Sequence, residues 1–242
     1  PMLRGDDVAD LQRRLSALGF DTGRVDGIFG ELTSKALADF QRNTGLPVDG
    51  ILGASTFLEL RRVTPRHADA ELVSAVRDRD LLRHAPRTLL GRRIAIGEEG
   101  GLDALVAAVR RHLSVTGAQV VPVLHHDGSM QAAAANAARV DVYVGLRIDP
   151  AHSRCSVAYY SGFRYESAGG RHLAELVHTL AGAALGVPAG GVEGMALPVL
   201  RETRMPAVLC EVGPPSLVVR HADALAEALV QALIAWAATP VD

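Results

Sequence analysis

Three apolar runs in the second half of the chain each end in charged residues whose types could do chemistry. Ile94-Ala95-Ile96 leads through Gly97 to Glu98 and Glu99, the run from Val140 to Leu146 leads to Arg147, and Ala207-Val208-Leu209-Cys210 leads to Glu211. A carboxylate can take a proton from water or hold a metal ion, and nearby histidines would complete a zinc site. A guanidinium does neither, because it has no lone pair to donate and stays charged at any accessible pH. The histidines are poorly placed to help. His125 and His126 are adjacent, so in a strand their side chains leave opposite faces. His172 and His178 are six apart on a helical pattern and face different ways. His152 is the nearest in sequence to Arg147 and the best spare candidate, yet with Glu211 alone it makes a poor zinc site. For each of them a surface or hydrogen-bonded histidine is the more ordinary reading.

The runs that carry these residues need a scaffold. Together with Gln119–Leu124 and Ser156–Tyr160 they are short, rich in β-branched residues and nearly continuously apolar, which predicts buried strands. Amphipathic patterns between them predict helices at about 103–115, 129–138, 168–185 and 219–238. Such alternation predicts an α/β domain over 91–242, with a largely parallel sheet flanked by helices and its chemistry at the carboxyl ends of the strands.

The first sixty residues are built differently. Val25-Asp26-Gly27-Ile28-Phe29-Gly30 followed by Thr33 recurs as Val48-Asp49-Gly50-Ile51-Leu52-Gly53 followed by Thr56, so one unit is used twice. Each Asp-Gly supplies a tight turn, the next glycine a close backbone approach, and the polar residues after it a helix cap. Val8, Leu11, Leu15 and Leu18 mark the apolar face of a first helix, Ala36, Leu37 and Phe40 of a second, and Phe57 and Leu60 of a short third. The prediction is a small three-helix domain over 1–63, with 64–90 as a linker carrying one short helix and a solvated charged face.

Bulk composition narrows the partners. With 242 residues, 48% hydrophobic, 21% charged and a formal charge of -2, two small globular domains are expected and a nucleic-acid groove is not. Cys155 and Cys210 are too few for a disulfide framework, and Cys210 reads as a small core residue. No stretch approaches a membrane span, and Pro1-Met2-Leu3-Arg4-Gly5 does not read as a signal peptide, so a cytoplasmic setting is expected.

Two resemblances sharpen this reading. The run Arg4-Gly5-Asp6-Asp7-Val8, Leu11-Gln12, Leu15, Leu18-Gly19-Phe20, Gly23, 25–30, Thr33, Ala36-Leu37, Phe40-Gln41, Gly45-Leu46, Asp49-Gly50, Gly53 and Thr56 resembles the peptidoglycan-binding domain found beside many cell-wall hydrolases. Asp26, Gly27, Gly30, Asp49, Gly50 and Gly53 are its turn residues, and their role reads as architectural. Over about 91–238 the chain resembles the zinc-dependent N-acetylmuramoyl-L-alanine amidases, most closely through Leu200-Arg201, Thr203, Met205-Pro206-Ala207-Val208-Leu209, Glu211 and Gly213.

In that family an Asp-Pro-Gly-His-Gly-Gly turn, a glutamate at the next helix start and a Ser-Ile-His strand end hold zinc, and a glutamate on the last strand is catalytic. The resemblance implies that Glu98 or Glu99 stands where the first histidine belongs, that Arg147 replaces the other, and that Glu211 is a vestigial general base. No cofactor is then expected, with zinc only if an active site has been rearranged. Arg147 either stands in for the missing cation, bridging Glu211 with Glu98 or Glu99, or faces solvent while the glutamates cap the following helix. The combination of domains looks most like the actinobacterial CwlM-type proteins, through Arg4-Gly5-Asp6-Asp7-Val8, Val144-Gly145-Leu146-Arg147 and Leu200-Arg201-Glu202-Thr203-Arg204-Met205-Pro206. That implies a cytoplasmic pseudo-amidase regulating cell-wall biosynthesis through the enolpyruvyl transferase MurA. An active amidase and a non-catalytic wall anchor are the alternatives.

Overall fold

In the computed structural model, residues 5–23, 27–63, 86–162 and 166–239 are described. The chain divides into two compact units, described over 5–63 and over 86–161 with 166–239. The linker helix expected within 64–90 falls mostly on 64–85, outside the described residues, and 86–90 form bends and a turn.

The first unit has helices α1 (Asp6–Ala17), α2 (Glu31–Thr44) and α3 (Ala54–Val63). Asp6 and Asp7 lie in the first turn of α1, where the exposed N–H groups favour negative charge. At its end α2 needs a left-handed residue, which Gly45 supplies at φ 75°. Leu46 N–H then donates to the Gln41 carbonyl at 2.8 Å and its side chain turns onto the core. That core is Leu11, Leu15, Ala36, Leu37, Phe40 and Leu60, with Phe20 meeting Phe40 edge to face at 5.7 Å. On α3 the buried pair is Thr56 and Leu60 rather than Phe57 and Leu60, since Phe57 is 42% exposed.

The second unit is a six-stranded sheet in the order β2-β1-β3-β6-β4-β5. Its strands are β1 (Arg93–Glu98), β2 (Gln119–Leu124), β3 (Val142–Ile148), β4 (Arg154–Tyr160), β5 (Ala189–Met195) and β6 (Ala207–Gly213). All neighbours run parallel except β4 against β6, so the sheet is largely parallel, as expected. Its helices are α4 (Asp103–Ser114), α5 (Gly128–Ala137), α6 (Ala168–Leu185), α7 (Pro198–Glu202), α8 (Pro215–Arg220) and α9 (Ala222–Ala238). One sheet face, with Ile94, Ile96, Val142, Val144, Leu146, Val208 and Cys210, meets α4, α6 and α9; the other, with Ala95, Tyr143, Ala207 and Leu209, meets α5 and α7.

Three elements differ from the sequence expectation. β5 was not foreseen, because Ala189-Gly190-Gly191 reads as a loop. The single helix expected at 219–238 is two, divided at His221. β3 and β6 run past Leu146 and Cys210, so Arg147 and Glu211 are strand residues rather than loop residues.

A carboxylate and a hydroxyl fix the starts of two helices of the second unit. Asp127 accepts from the N–H groups of Ser129 and Met130 at 2.7 and 3.1 Å to open α5, and Ser167 Oγ accepts from Gly170 N–H at 3.1 Å to open α6. Between α4 and α9, His112 Nε2 lies 3.1 Å from Asp223 Oδ1, with Arg111 at 3.5 Å. The His112 ring holds the Asp223 carboxyl below its ordinary range, with Arg111 adding to the effect. A depressed folded pKa stabilises above the unfolded value and is lost as pH falls through the folded one. His112→Ala is therefore expected to move the Asp223 carboxyl titration upward by NMR; an unmoved titration would remove the pair as the cause.

Candidate functional site

Strand register brings Arg147 of β3 opposite Glu211 of β6 and Ser156 of β4 opposite Glu211 on its other side. Side chains alternate along a strand, so Tyr143, Gly145 and Arg147 leave one face, as do Ala207, Leu209 and Glu211, and Arg154, Ser156 and Ala158. That face is the one covered by α5 and α7, because Tyr143, Ala207, Leu209 and Ala158 belong to its core. Glu99 follows the last residue of β1. The charged residues thus stand along one edge of one face, at the carboxyl ends of β1, β3 and β6.

Their charges alternate and pair locally. Arg147 Nε donates to Glu99 Oε1 at 2.9 Å, and Arg147 Nη2 donates to the same oxygen. Glu211 pairs instead with Arg154, whose Nη2 is 3.5 Å from its Oε2. Arg154 Nε lies 2.8 Å from Asp149 Oδ2, which His152 Nδ1 also approaches at 3.0 Å. Asp149 is pushed up by burial but held net below the ordinary carboxylate range by the N–H groups of Ala151 and His152 and by the His152 ring. Arg147 and Glu99 are each about one-third exposed, with side-chain accessibilities of 34% and 31%. A gross attraction of about 4 kcal/mol at 4 Å and a dielectric near 20 is therefore screened to roughly 1 kcal/mol or less.

Both arrangements foreseen for the two glutamates are present in part. Glu99 meets Arg147, whereas Glu98 is buried and its Oε2 accepts from Leu102 N–H at 3.0 Å, closing the start of α4. The predicted bridge from Arg147 to Glu211 is not formed; Arg154, which sequence reasoning passed over, takes Glu211. Its signal was its position as the first residue of an antiparallel neighbour of β6, legible only once strand order is known.

Beneath this row the site is filled by a tyrosine. Tyr143 is fully buried and its hydroxyl donates to Gln131 Oε1, while Gln131 Nε2 donates to the carbonyls of Glu98, at 3.2 Å, and His125. Burial, with Glu99 close by, pushes the Tyr143 hydroxyl far above its ordinary pKa. A β-carbon at Gly97 would lie 2.0 Å from that hydroxyl. These two residues were missed as well: a tyrosine inside a strand and a glutamine inside a helix carry no spacing signal.

The donor set does not suit zinc. Among the described residues no three His, Cys, Asp or Glu side chains converge as a metal site. At the end of β3 stands the Arg147 guanidinium, which has no lone pair to donate and repels a divalent cation. Three of the candidate histidines have partners of their own: His125 Nδ1 accepts from Asp127 N–H at 2.9 Å, His178 Nε2 from Gly191 N–H at 3.1 Å, and His152 is turned to Asp149.

In the first unit the repeated turns are held by two buried glutamines. Gln12 Oε1 accepts from Gly27 N–H at 2.9 Å, and Gln12 Nε2 donates to the Ile28 carbonyl and Thr33 Oγ1, both at 3.1 Å. Gln41 repeats the pattern one unit on: its Oε1 accepts from Asp49 N–H and Gly50 N–H at 3.1 and 2.8 Å, and its Nε2 donates to Asp49 Oδ1, the Ile51 carbonyl and Thr56 Oγ1 at 2.7, 3.0 and 3.2 Å. Gly27 and Gly50 sit at φ 71° and 66°, where a side chain is strained. The close approach expected at Gly30 and Gly53 is absent, since a β-carbon at either would meet nothing within 4 Å. Side-chain capping of α2 is absent too; Gly30 is its N-cap and the Gly30 carbonyl accepts from Ser34 N–H at 2.9 Å. Asp26 lies outside the described residues. Val8, Leu11, Phe29, Ile51 and Leu52, with Asp7 and Gly50, line a cavity of about 360 Å³ between α1 and the second turn.

Fold and site together define a class: a peptidoglycan-binding-type helical domain joined to an amidase-like α/β domain. Residues 4–60 match the family described as a putative peptidoglycan binding domain. The chain is CwlM-like, being 32% identical over 240 residues to the protein of Mycobacterium tuberculosis (strain ATCC 25618 / H37Rv) named N-acetylmuramoyl-L-alanine amidase CwlM. That alignment covers 87% of this chain and 59% of the relative, so the chain spans under two thirds of that protein's length. The first unit is also 53% identical over 60 residues to a spore cortex-lytic enzyme of Bacillus cereus, covering 25% of this chain and 23% of that one. Among solved structures, an N-acetylmuramoyl-L-alanine amidase from Clostridium difficile 630 aligns with a TM-score of 0.49 at 20% identity, covering 60% of this chain and 96% of that chain. No helix among the described residues is long and apolar enough to cross a membrane.

Proposed function

We propose that the amidase-like domain binds without hydrolysing, and that the protein is a cytoplasmic regulator of peptidoglycan synthesis. The observation that carries this is the Arg147 guanidinium held by Glu99 at the end of β3, where the amidase pattern calls for a zinc-bound histidine. In that setting Glu211 is a vestigial base, since a carboxylate without a polarised water has nothing to activate. Its place in an ion pair with Arg154 gives it a structural role. The partner proposed from the CwlM-type resemblance is a MurA-like enolpyruvyl transferase.

Retention of Glu211 on β6 favours a second reading, an active zinc amidase cleaving between the muramoyl group and L-alanine through a rearranged site. Metal analysis after purification in zinc-supplemented medium, run beside solubilisation of purified sacculi, separates the two. The expected result is zinc far below one per chain and no release of peptide from the glycan, unchanged by chelator. Stoichiometric zinc with chelator-sensitive release would establish the amidase. The cavity beside α1 supports a third reading, an anchor on the wall polymer; cosedimentation with peptidoglycan in place of capture of the transferase would select it.

A further inference from the structure

The two cysteines, distant in sequence, stand side by side in the second unit. Cys155 Sγ and Cys210 Sγ are 4.0 Å apart, and both are free, buried thiols. They sit on the antiparallel pair β4 and β6, Cys155 opposite Val212 and Cys210 opposite Val157, which makes them diagonal neighbours on one face. Their surroundings are hydrocarbon, including Val157, Val208 and Val212 of the same core.

We propose that Cys155 and Cys210 form an oxidative modification site, which a hydroperoxide converts to an intrachain disulfide pinning β4 to β6. A disulfide asks for sulfurs about 2.05 Å apart on α-carbons some 4.4–6.8 Å apart; diagonal neighbours on paired strands stand wider, at about 7–8 Å, so closing the 4.0 Å between the sulfurs draws the start of β4 toward β6. Access has a route. Cys155 is the second residue of β4, and the β4–β5 register shifts between Cys155 and Ser156, so the strand end nearest this sulfur is the part that opens at lowest cost.

The chemistry balances without further reagents. One thiolate attacks the peroxide O–O bond, giving a sulfenic acid and releasing the alcohol or water; the second sulfur displaces water from it and the S–S bond forms. Two thiols lose two electrons and two protons, and the hydroperoxide is reduced to alcohol and water. Contact with Cys155 and burial in hydrocarbon raise the Cys210 thiol, and Cys210 lies mid-strand in β6, so Cys155, next to the start of β4, is the sulfur that attacks. The crosslink reaches the charged row, because Cys155 adjoins Arg154 and Cys210 adjoins Glu211, the ion pair on the opposite face of the same two strands. It does so whether that row binds or catalyses.

The test treats the folded full-length chain with hydrogen peroxide, then unfolds it in alkylating reagent for mass spectrometry. The expected product has lost two hydrogens, takes up no alkyl group, and yields one linked peptide containing Cys155 and Cys210. The link closes a loop between residues 55 apart, and the oxidised chain should melt about 5–10 °C higher. In Cys155→Ala and Cys210→Ala the remaining sulfur should gain oxygen instead, with no rise in melting temperature. Two alkylatable thiols after treatment, separate sulfinic acids in the native chain, or a link between chains would each overturn the proposal.

Discussion

Gly97→Val is expected to unfold the second unit at ordinary temperature. Gly97 lies in β1, paired with Gly145 of β3, and the Tyr143 side chain is laid across that gap. A β-carbon there would sit 2.0 Å from the Tyr143 hydroxyl, 2.5 Å from Cζ and 2.8 Å from Gln131 Oε1. None of the three can yield easily, because Tyr143 is sealed in the core and Gln131 ties the ends of β1 and β2 through the Glu98 and His125 carbonyls. Overpacking a filled core costs about 1–3 kcal/mol where the surroundings can shift, and more where they also lose hydrogen bonds. Alanine should therefore cost about 3 kcal/mol and valine more, against a total stability of roughly 5–15 kcal/mol. Urea unfolding followed by circular dichroism measures it. A second variant isolates the cause: pairing Gly97→Ala with Tyr143→Leu removes the opposing ring, so the double change should cost less than the sum of the single ones. A cost under about 1 kcal/mol for alanine would mean the ring moves aside freely.

That contact shows where sequence reading ends. The glycine in Ile94-Ala95-Ile96-Gly97 is visible, but what it accommodates comes from β3, placed beside β1 only by the sheet order. The α/β architecture was legible because period and residue type both change near Arg92, and apolar patterns between the strand runs marked the helices at about 129–138 and 168–185. Arg147 could be set beside Glu98 or Glu99 because the resemblance to the amidases puts them at former metal-ligand positions; the sheet order, with β1 beside β3, brings Glu99 to it. The Glu211–Arg154 pair could not, since β4 enters antiparallel and the parallel alternation gives no warning of it. β5 escaped for a different reason: it is an edge strand opening on two glycines, and its side chains show no alternating pattern. On the opposite edge, Pro122 stands mid-strand in β2 between Val121 and Val123, whose neighbours Gln119 and His125 donate to the Arg92 and Glu98 carbonyls of the β1 side. Alternation turns Pro122 outward, where a missing N–H blocks further pairing.

The buried glutamines carry the other large effect, and it is confined to the first unit. Gln41→Leu should cost that unit about 3 kcal/mol, because the apolar side chain leaves the Gly50 N–H, the Ile51 carbonyl and Thr56 Oγ1 without the amide that joins them. A unit of about sixty residues with one small core has little stability to spare, so this loss should open the second turn and α3 together. Hydrogen exchange on the full chain reads it as lost protection over 31–60 with the second unit unchanged; retained protection there would show that the turn stands without its glutamine. Gln41→Glu gives an independent readout through charge. In the native protein the Asp49 carboxyl is held below its ordinary range by the Ile51 N–H first and by the Gln41 amide second. A carboxylate at 41 would face Asp49 and raise the folded pKa of the pair, so the variant should be least protected near neutral pH and recover as pH falls through that raised value. A merely steric role for Gln41 predicts no such recovery, since glutamate has nearly the shape of glutamine and differs here by its charge.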